Sequence, residues 1–356
     1  MNIKIKQILE LAVANGASDI HLSVSTLPKL RVNGELIDIA NFDISNPLAT
    51  TEMILSLLSD DQRVRFSTEK ELDFSVTLEE ARFRVNMFLQ RSEVRCTLRV
   101  VSSTIPSFKE LKLPDIFSEI VNYKQGCVLV TGPTGHGKST TVASVLNRIN
   151  EERKVHMVTV EDPIEYILKP NNSVVSQREL GNDTLSFAAA LKSVLRQDPN
   201  VVFVGEMRDL ETITSALTIA ETGHLVFSTL HTNSAAQTVD RIVDVFPEGS
   251  KDQIKVQLAS VITAIVSQRL IPAIDGGRVP VFEILMATPA VKNAIRDGKS
   301  FMLDNIIQTS ADLGMVGLET SLSRLVHQGK ITEEVAMSYS LRPSELQSNL
   351  RSLKKL

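Results

Sequence analysis

Cys127-Val128-Leu129-Val130-Thr131-Gly132-Pro133-Thr134-Gly135-His136-Gly137-Lys138-Ser139-Thr140 is the stretch from which the fold can be read. An apolar run of strand length leads into G-x-x-x-x-G-K-[ST], with Gly132, Gly137, Lys138 and Ser139 in the required places. Glycine lets such a loop curl until backbone N–H groups point inward at phosphate oxygens, where a side chain would clash. Lys138 is expected to reach the β- and γ-phosphates, and the Ser139 hydroxyl to serve as a ligand for Mg²⁺. A helix from Ser139 to about residue 150 would turn its positive end toward the same phosphates. A buried strand before the motif and a helix after it separate a phosphate loop from a chance glycine turn. Residues 132–140 are therefore the expected nucleoside triphosphate site.

Downstream, strands alternate with helices, which predicts a parallel sheet covered by helices over 106–285. The strand 155–160 ends at Glu161-Asp162-Pro163-Ile164-Glu165, and the strand Val201-Val202-Phe203-Val204 ends at Gly205-Glu206. Helices are expected at 184–197 and 210–222, and the strand 225–229 delivers His231 just past its end. Ligands of open α/β sheets sit at the carboxyl ends of the strands. An acidic residue closing an apolar strand there serves Mg²⁺ or polarises the attacking water. Glu206 is the expected catalytic base and Glu161 a second carboxylate near metal or water, with Glu165 as its competitor. His231 at this edge could contact the γ-phosphate and report its loss. For His224, on the other side of the same short strand, structural and functional roles stay equally open.

Upstream, 1–105 reads as a small α+β module with a mostly antiparallel sheet. Ile5, Ile8, Leu9 and Ala12 share one helical face, and Asn33-Gly34 between apolar runs signals a hairpin with a type I′ turn. A helix is expected around 51–65 and strands at 72–77, 81–89 and 93–101. The last two strands alternate arginine with apolar residues, so Arg82, Arg84, Arg95 and Arg99 share one face. A solvated polar face is one reading. Bidentate recognition of phosphate by arginine is the other, and it makes Arg82, Arg84 and Arg95 candidate arginine fingers.

Composition sets the bounds. A chain of 356 residues with 43% hydrophobic and 22% charged residues is that of an ordinary globular protein of two domains. It has no apolar run of membrane-spanning length and opens without a signal-peptide core, so a cytoplasmic location is expected. Cys96 and Cys127 both lie in apolar runs without a C-x-x-C pair, which predicts reduced core thiols and no zinc module. A net charge of −4 argues against a nucleic-acid coat.

Together these motifs resemble the secretion-type ATPases that drive type IV pili and type II secretion, most closely their pilus-retraction members. The resemblance spans 1 to about 330. It rests on Gly16-Ala17-Ser18-Asp19-Ile20-His21-Leu22-Ser23, Arg82-Phe83-Arg84-Val85-Asn86, the phosphate loop, the acidic box 160–165, the stretch 198–209 and the histidine box from Thr222-Gly223-His224 to Leu230-His231-Thr232. It implies a PAS-like domain (1–105) on a RecA-like P-loop ATPase domain (106–285), assembled as a homo-hexameric ring. ATP would lie between the two domains, with Mg²⁺ on Ser139, Glu161 and Glu206 and with fingers from the N-terminal arginines. His224 and His231 are placed among the catalytic residues. The ring would pull pilin subunits from the fibre through an inner-membrane platform protein at the pilus base, without inserting in the membrane or binding nucleic acid.

Two departures stand out. His136 occupies a position where the family usually has serine, and an imidazole so near phosphate predicts pH-dependent activity between about 5.5 and 7.5. The A-I-R-N-L-I-R-E segment of retraction members appears as Ala290-Val291-Lys292-Asn293-Ala294-Ile295-Arg296-Asp297, with four identities. Helical patterns at 289–297, 301–312, 315–328, 332–340 and 343–354 predict a C-terminal helical subdomain over 286–356.

Two alternatives are weaker. An assembly or type II secretion ATPase commonly carries a further N-terminal domain and a four-cysteine module. A RecA-like nucleic-acid translocase would want a basic, aromatic-lined channel, whereas aromatics are 4% and tryptophan is absent.

Overall fold

The computed structural model describes residues 2–24, 26–40, 42, 46–79, 81–101 and 104–353. The chain forms two compact units, 1–104 together with 165–167, and 105–164 together with 168–356. The fold is α/β.

In the first unit the helix α1 (Ile3–Ala14) starts where the Asn2 side chain accepts the Lys4 N–H, and it buries Ile5, Ile8, Leu9 and Ala12. The strands β1 (Asp19–Ser23), β2 (Thr26–Val32) and β3 (Glu35–Asp38) follow. Asn33 and Gly34 both take positive φ between β2 and β3, as a type I′ turn requires. The single helix expected at 51–65 is instead α2 (Pro47–Leu55) and α3 (Asp60–Glu69). The break falls at Ser59, which starts α3 with a reciprocal capping box to Gln62, so local hydrogen bonding overrides the apolar spacing. Then β4 (Glu71–Leu78), β5 (Ala81–Gln90) and β6 (Glu93–Val101) complete an antiparallel sheet of order β3-β2-β1-β6-β5-β4. Phe83, Val85, Met87, Cys96 and Leu98 are buried on its inner face, which leaves the arginines on the other.

The second unit opens with α4 (Ile116–Ile120), β7 (Gly126–Thr131), α5 (Lys138–Glu152), β8 (His156–Glu161) and β9 (Val174–Glu179). It continues through α6 (Phe187–Val194), β10 (Val201–Val204), α7 (Leu210–Glu221), β11 (Leu225–Leu230), α8 (Ala235–Asp244) and α9 (Lys251–Val261). Every residue of β7, β10 and β11 is buried, as expected of parallel strands with helices on both faces. A hairpin not singled out in the sequence, β12 (Ile262–Pro272) and β13 (Arg278–Met286), completes the sheet in the order β13-β12-β7-β11-β10-β8-β9. Here β12 runs parallel to β7, and β13 is the antiparallel edge.

The end of the chain is helical: α10 (Pro289–Arg296), α11 (Leu303–Thr309), α12 (Leu318–His327), α13 (Glu333–Tyr339) and α14 (Pro343–Leu353). Its last helices pack on the hairpin, where Ile271, Val279 and Val281 share a core with Leu318, Leu322 and Leu346. Burying each such side chain contributes about 1.5–3 kcal/mol. Cys96 and Cys127 are free and buried, and burial pushes the Cys127 thiol up to about 12.

Candidate active site

The carboxyl ends of β7, β8, β10 and β11 bring together most of the residues singled out in the sequence. From β7 the chain enters the glycine-rich loop and then α5, which starts at Lys138 with Gly137 as a left-handed N-cap. Gly137 offers no side-chain cap to the helix's first N–H groups, so those donors face the loop. Gly132 takes φ +140°, and a Cβ there would collide with the Gln268 carbonyl oxygen. Only glycine lets the loop pass this close to β12.

The Lys138 ammonium is buried in the loop, donating to Gly132 O (2.8 Å) and Pro133 O (3.1 Å). It also lies 3.2 Å from His231 Nδ1, as does the Thr134 hydroxyl. An ammonium has only donors, so Nδ1 accepts, and the neutral ring's proton is on Nε2. Nε2 lies 3.2 Å from Glu206 Oε2, and Arg208 Nη2 approaches the same oxygen at 2.7 Å. One imidazole thus joins the phosphate-loop lysine to the carboxylate expected to activate water. Burial disfavours ionised Glu206, but the hydrogen bonds from Arg208 and His231 and the Arg208 charge outweigh it and hold the carboxyl below its ordinary range.

Glu161 ends β8 at the same edge, buried, and its Oε1 accepts from the Thr159 hydroxyl (2.6 Å) and Gln177 Nε2 (3.1 Å). Gly205, just before Glu206, lies against the Glu161 backbone. Its competitor Glu165 belongs to the short segment grouped with the first unit. Ser139 is the second residue of α5. Ser139, Glu161 and Glu206 offer oxygen donors that suit a hard cation. Among the described residues no three His, Cys, Asp or Glu are grouped to hold an ion alone, so phosphate oxygens and water would complete its shell.

Two residues sit otherwise than the sequence suggested. His224 precedes β11, at the opposite end of the strand from His231, and its Nδ1 lies 3.0 Å from both Ile219 O and the Thr222 hydroxyl. The structure does not bring it to the loop edge. His136 turns to β12, where its Nδ1 accepts the Leu270 N–H at 3.0 Å. Burial, with Arg269, Arg278 and Lys138 nearby, lowers its pKa and keeps the ring neutral. The expected pH-sensitive imidazole against phosphate gives way to a clamp on the loop's backbone.

The hairpin supplies what sequence reasoning missed. Gln268, 3% exposed, accepts from the Thr141 hydroxyl (2.7 Å) and donates to His136 O (2.9 Å). Arg278 donates to Gly135 O (3.1 Å). A lone glutamine in an apolar strand carries no motif, and only the β12–β7 pairing discloses its role.

In the first unit the polar face pairs Arg84 with Arg99 across β5 and β6, and Asn86 with Thr97. Arg99 Nε bonds Asp19 Oδ1 at 3.1 Å, and Arg82 Nη2 donates to the Ser75 hydroxyl at 2.7 Å. Arg95 lies beside Ser23, and Arg84 is exposed.

Comparison with known proteins shows the family. Residues 1–278 match the model of the type II/IV secretion system proteins. The chain is 49% identical over 311 residues to a twitching motility protein of Neisseria gonorrhoeae, covering 87% of this chain and 83% of the relative. It is 44% identical over 333 residues to the type IV pilus retraction ATPase PilT of Pseudomonas aeruginosa, covering 93% and 96%. A crystal structure of the pilus retraction motor PilT with bound ADP superimposes with a TM-score of 0.89 at 44% identity, over 98% of this chain and 100% of that one.

Proposed function

The chain belongs to the type II/IV secretion system protein family, and from that premise we propose that it is a pilus-retraction ATPase, hydrolysing Mg-ATP as a homo-hexamer to withdraw pilin and drive twitching motility. Residues 132–140 hold the triphosphate, and Lys138 turns its ammonium to the β- and γ-phosphates. Ser139, Glu161 and Glu206 would hold Mg²⁺, which when bound would neutralise charge on the phosphate oxygens. Glu206 orients and deprotonates the attacking water, a role its ionised state suits. His231 donates to Glu206 through Nε2, so loss of the Lys138 donor at Nδ1 is felt by the carboxylate. Arg82, Arg84 and Arg95 are the candidates for neutralising charge that develops on the γ-phosphoryl group.

No described helix is long and apolar enough to cross a membrane. The ring works at the cytoplasmic face of the inner membrane, against a platform protein at the pilus base. The observation that carries the reading is the Lys138–His231–Glu206 chain, which links nucleotide binding to the hydrolytic carboxylate. Phosphate release by purified protein tests it: Glu206→Gln should lower turnover by about 10³ while ATP still binds. Cells restored with that variant should carry excess pili that they cannot withdraw. Wild-type turnover in Glu206→Gln would remove the residue from the chemistry, and bald cells lacking the protein would mean pilus assembly.

A further inference from the structure

Glu283 stands mid-strand in β13, 1% exposed, where an apolar residue would pack without cost. Its Oε1 accepts the N–H of Ala235, the first residue of α8, at 2.7 Å. Between His231 and that helix the loop is tied to the helix at every step. The Thr232 hydroxyl meets the Thr238 hydroxyl (2.7 Å), the Asn233 N–H reaches Gln237 Oε1 (3.2 Å), and Ser234 caps the Gln237 N–H. Movement of the first turn of α8 is therefore movement of His231.

The other surroundings of Glu283 come from two directions. Across the sheet it pairs with Ser267 of β12, whose hydroxyl meets that of Thr131, the residue before Gly132, at 2.9 Å. From the C-terminal helices it faces Asp304 on α11, Glu319 on α12 and Arg342 just before α14. Arg342 forms an ion pair with Asp304 (2.6 Å), bonds Glu345 (3.3 Å) and lies 3.7 Å from Glu319. Glu319 Oε1 in turn accepts the N–H groups of Leu341 and Arg342. Arg269 of β12 also feels Glu283, and donates to Tyr339 O at 2.7 Å.

We propose that Glu283 is a positioning residue for hydrolysis: it pins the first turn of α8 and with it the His231 loop, and Arg342, held among the C-terminal helices, acts on that pin through its charge. The inference rests on the role given to His231 above. Displacing those helices would weaken the pin and slow the chemical step without loosening ATP. The pin also carries a charge that changes near neutrality. Burial pushes Glu283 up to about 7, the Ala235 N–H opposes it, Asp304 and Glu319 add to it, and Arg342 lowers it. An ionised carboxylate at a helix N-terminus holds that turn better than a neutral one, so protonation should relax the loop.

The test is ATP turnover by the full-length protein across about pH 6–8.5. Glu283→Gln keeps an acceptor for Ala235 but cannot ionise. Its kcat should fall about tenfold with KM within about twofold, the signature of misplacement rather than lost binding. Its acid limb should flatten, and Arg342→Gln should move the wild-type limb to higher pH. In a His231→Ala background the further loss from Glu283→Gln should vanish. A Glu283→Gln enzyme with the wild-type kcat and pH profile overturns the proposal, as does a full tenfold loss added to that of His231→Ala. Wild-type turnover in His231→Ala alone would instead overturn the reading of His231. Should Glu283→Gln fail to fold, Arg342→Gln, on a half-buried side chain, carries the same test: an unmoved acid limb rejects the idea.

Discussion

At the scale of single residues, two loop histidines differ in what their Nδ1 atoms meet. His231 Nδ1 meets an ammonium and His136 Nδ1 a backbone N–H, so both rings are neutral in this arrangement. For His136 that has a consequence for stability. A histidine held below 6.5 in the folded state binds fewer protons there than when unfolded, so its contribution is full above 6.5 and is lost as pH falls through the folded value. Glu283 acts with the opposite sign, since a raised carboxyl contributes stability that is full below its ordinary range and is lost as pH rises toward about 7. Bulk acid stability mixes the two, but a comparison with one variant separates them. Melting temperatures of wild type and His136→Ser should differ most near pH 7.5 and converge toward pH 5.5. A gap that stays constant with pH would mean that the imidazole's protonation state does not hold the loop to β12.

At the scale of elements, the β12–β13 hairpin decides the shape of the phosphate loop. Gln268 spans the gap between them, taking the Thr141 hydroxyl and giving to the His136 carbonyl. Replacing it by alanine strands a buried hydroxyl and opens a small cavity, so Gln268→Ala should cost about 2–4 kcal/mol and weaken nucleotide affinity together. Urea unfolding and equilibrium nucleotide binding would check it, and a destabilised variant with unchanged affinity would confine Gln268 to packing. The hairpin also marks what the sequence could tell. Val128 to Lys138, the acids ending β8 and β10, and His231 were legible because strand, loop and chemistry lie within a dozen residues of one another. His136 and Leu270 are 134 positions apart, and nothing local announces that a loop histidine will bond a strand's N–H. Glu283 was hidden for the same reason, one acid in an apolar run whose partners come from α8 and the C-terminal helices. In the first unit the single helix read across 51–65 failed where Ser59 restarted the helix, because a cap outranks apolar spacing.

At the scale of the whole molecule, the first unit stands out for the positive charge it keeps on one sheet face. Arg84 and Arg99 sit directly opposite each other on β5 and β6, an arrangement that costs stability. Asp19 offsets part of it. Burial works against its ionised form, but bonds from Ser18 and Arg99 hold it below the ordinary range, and Arg31 also lies 3.9 Å from it. That carboxylate is taken by Arg99 and Arg31, and Arg84 is left at the surface, while Arg82 is turned along the sheet to Ser75. A face that retains such repulsion suits an anionic partner, and a triphosphate has the charge to relieve it. Of Arg82 and Arg84, Arg84 is then the exposed one, placed to reach developing charge, whereas Arg82 must first leave its serine. Arg84→Ala should lower kcat by about 10³ with little change in ATP affinity, and Arg82→Ala should cost distinctly less. Steady-state turnover with a separate measurement of nucleotide binding resolves the two terms. Equal losses in both variants would make the face a shared electrostatic surface. Equal loss of binding and turnover in Arg84→Ala would mean the side chain holds the substrate in its ground state and is no finger.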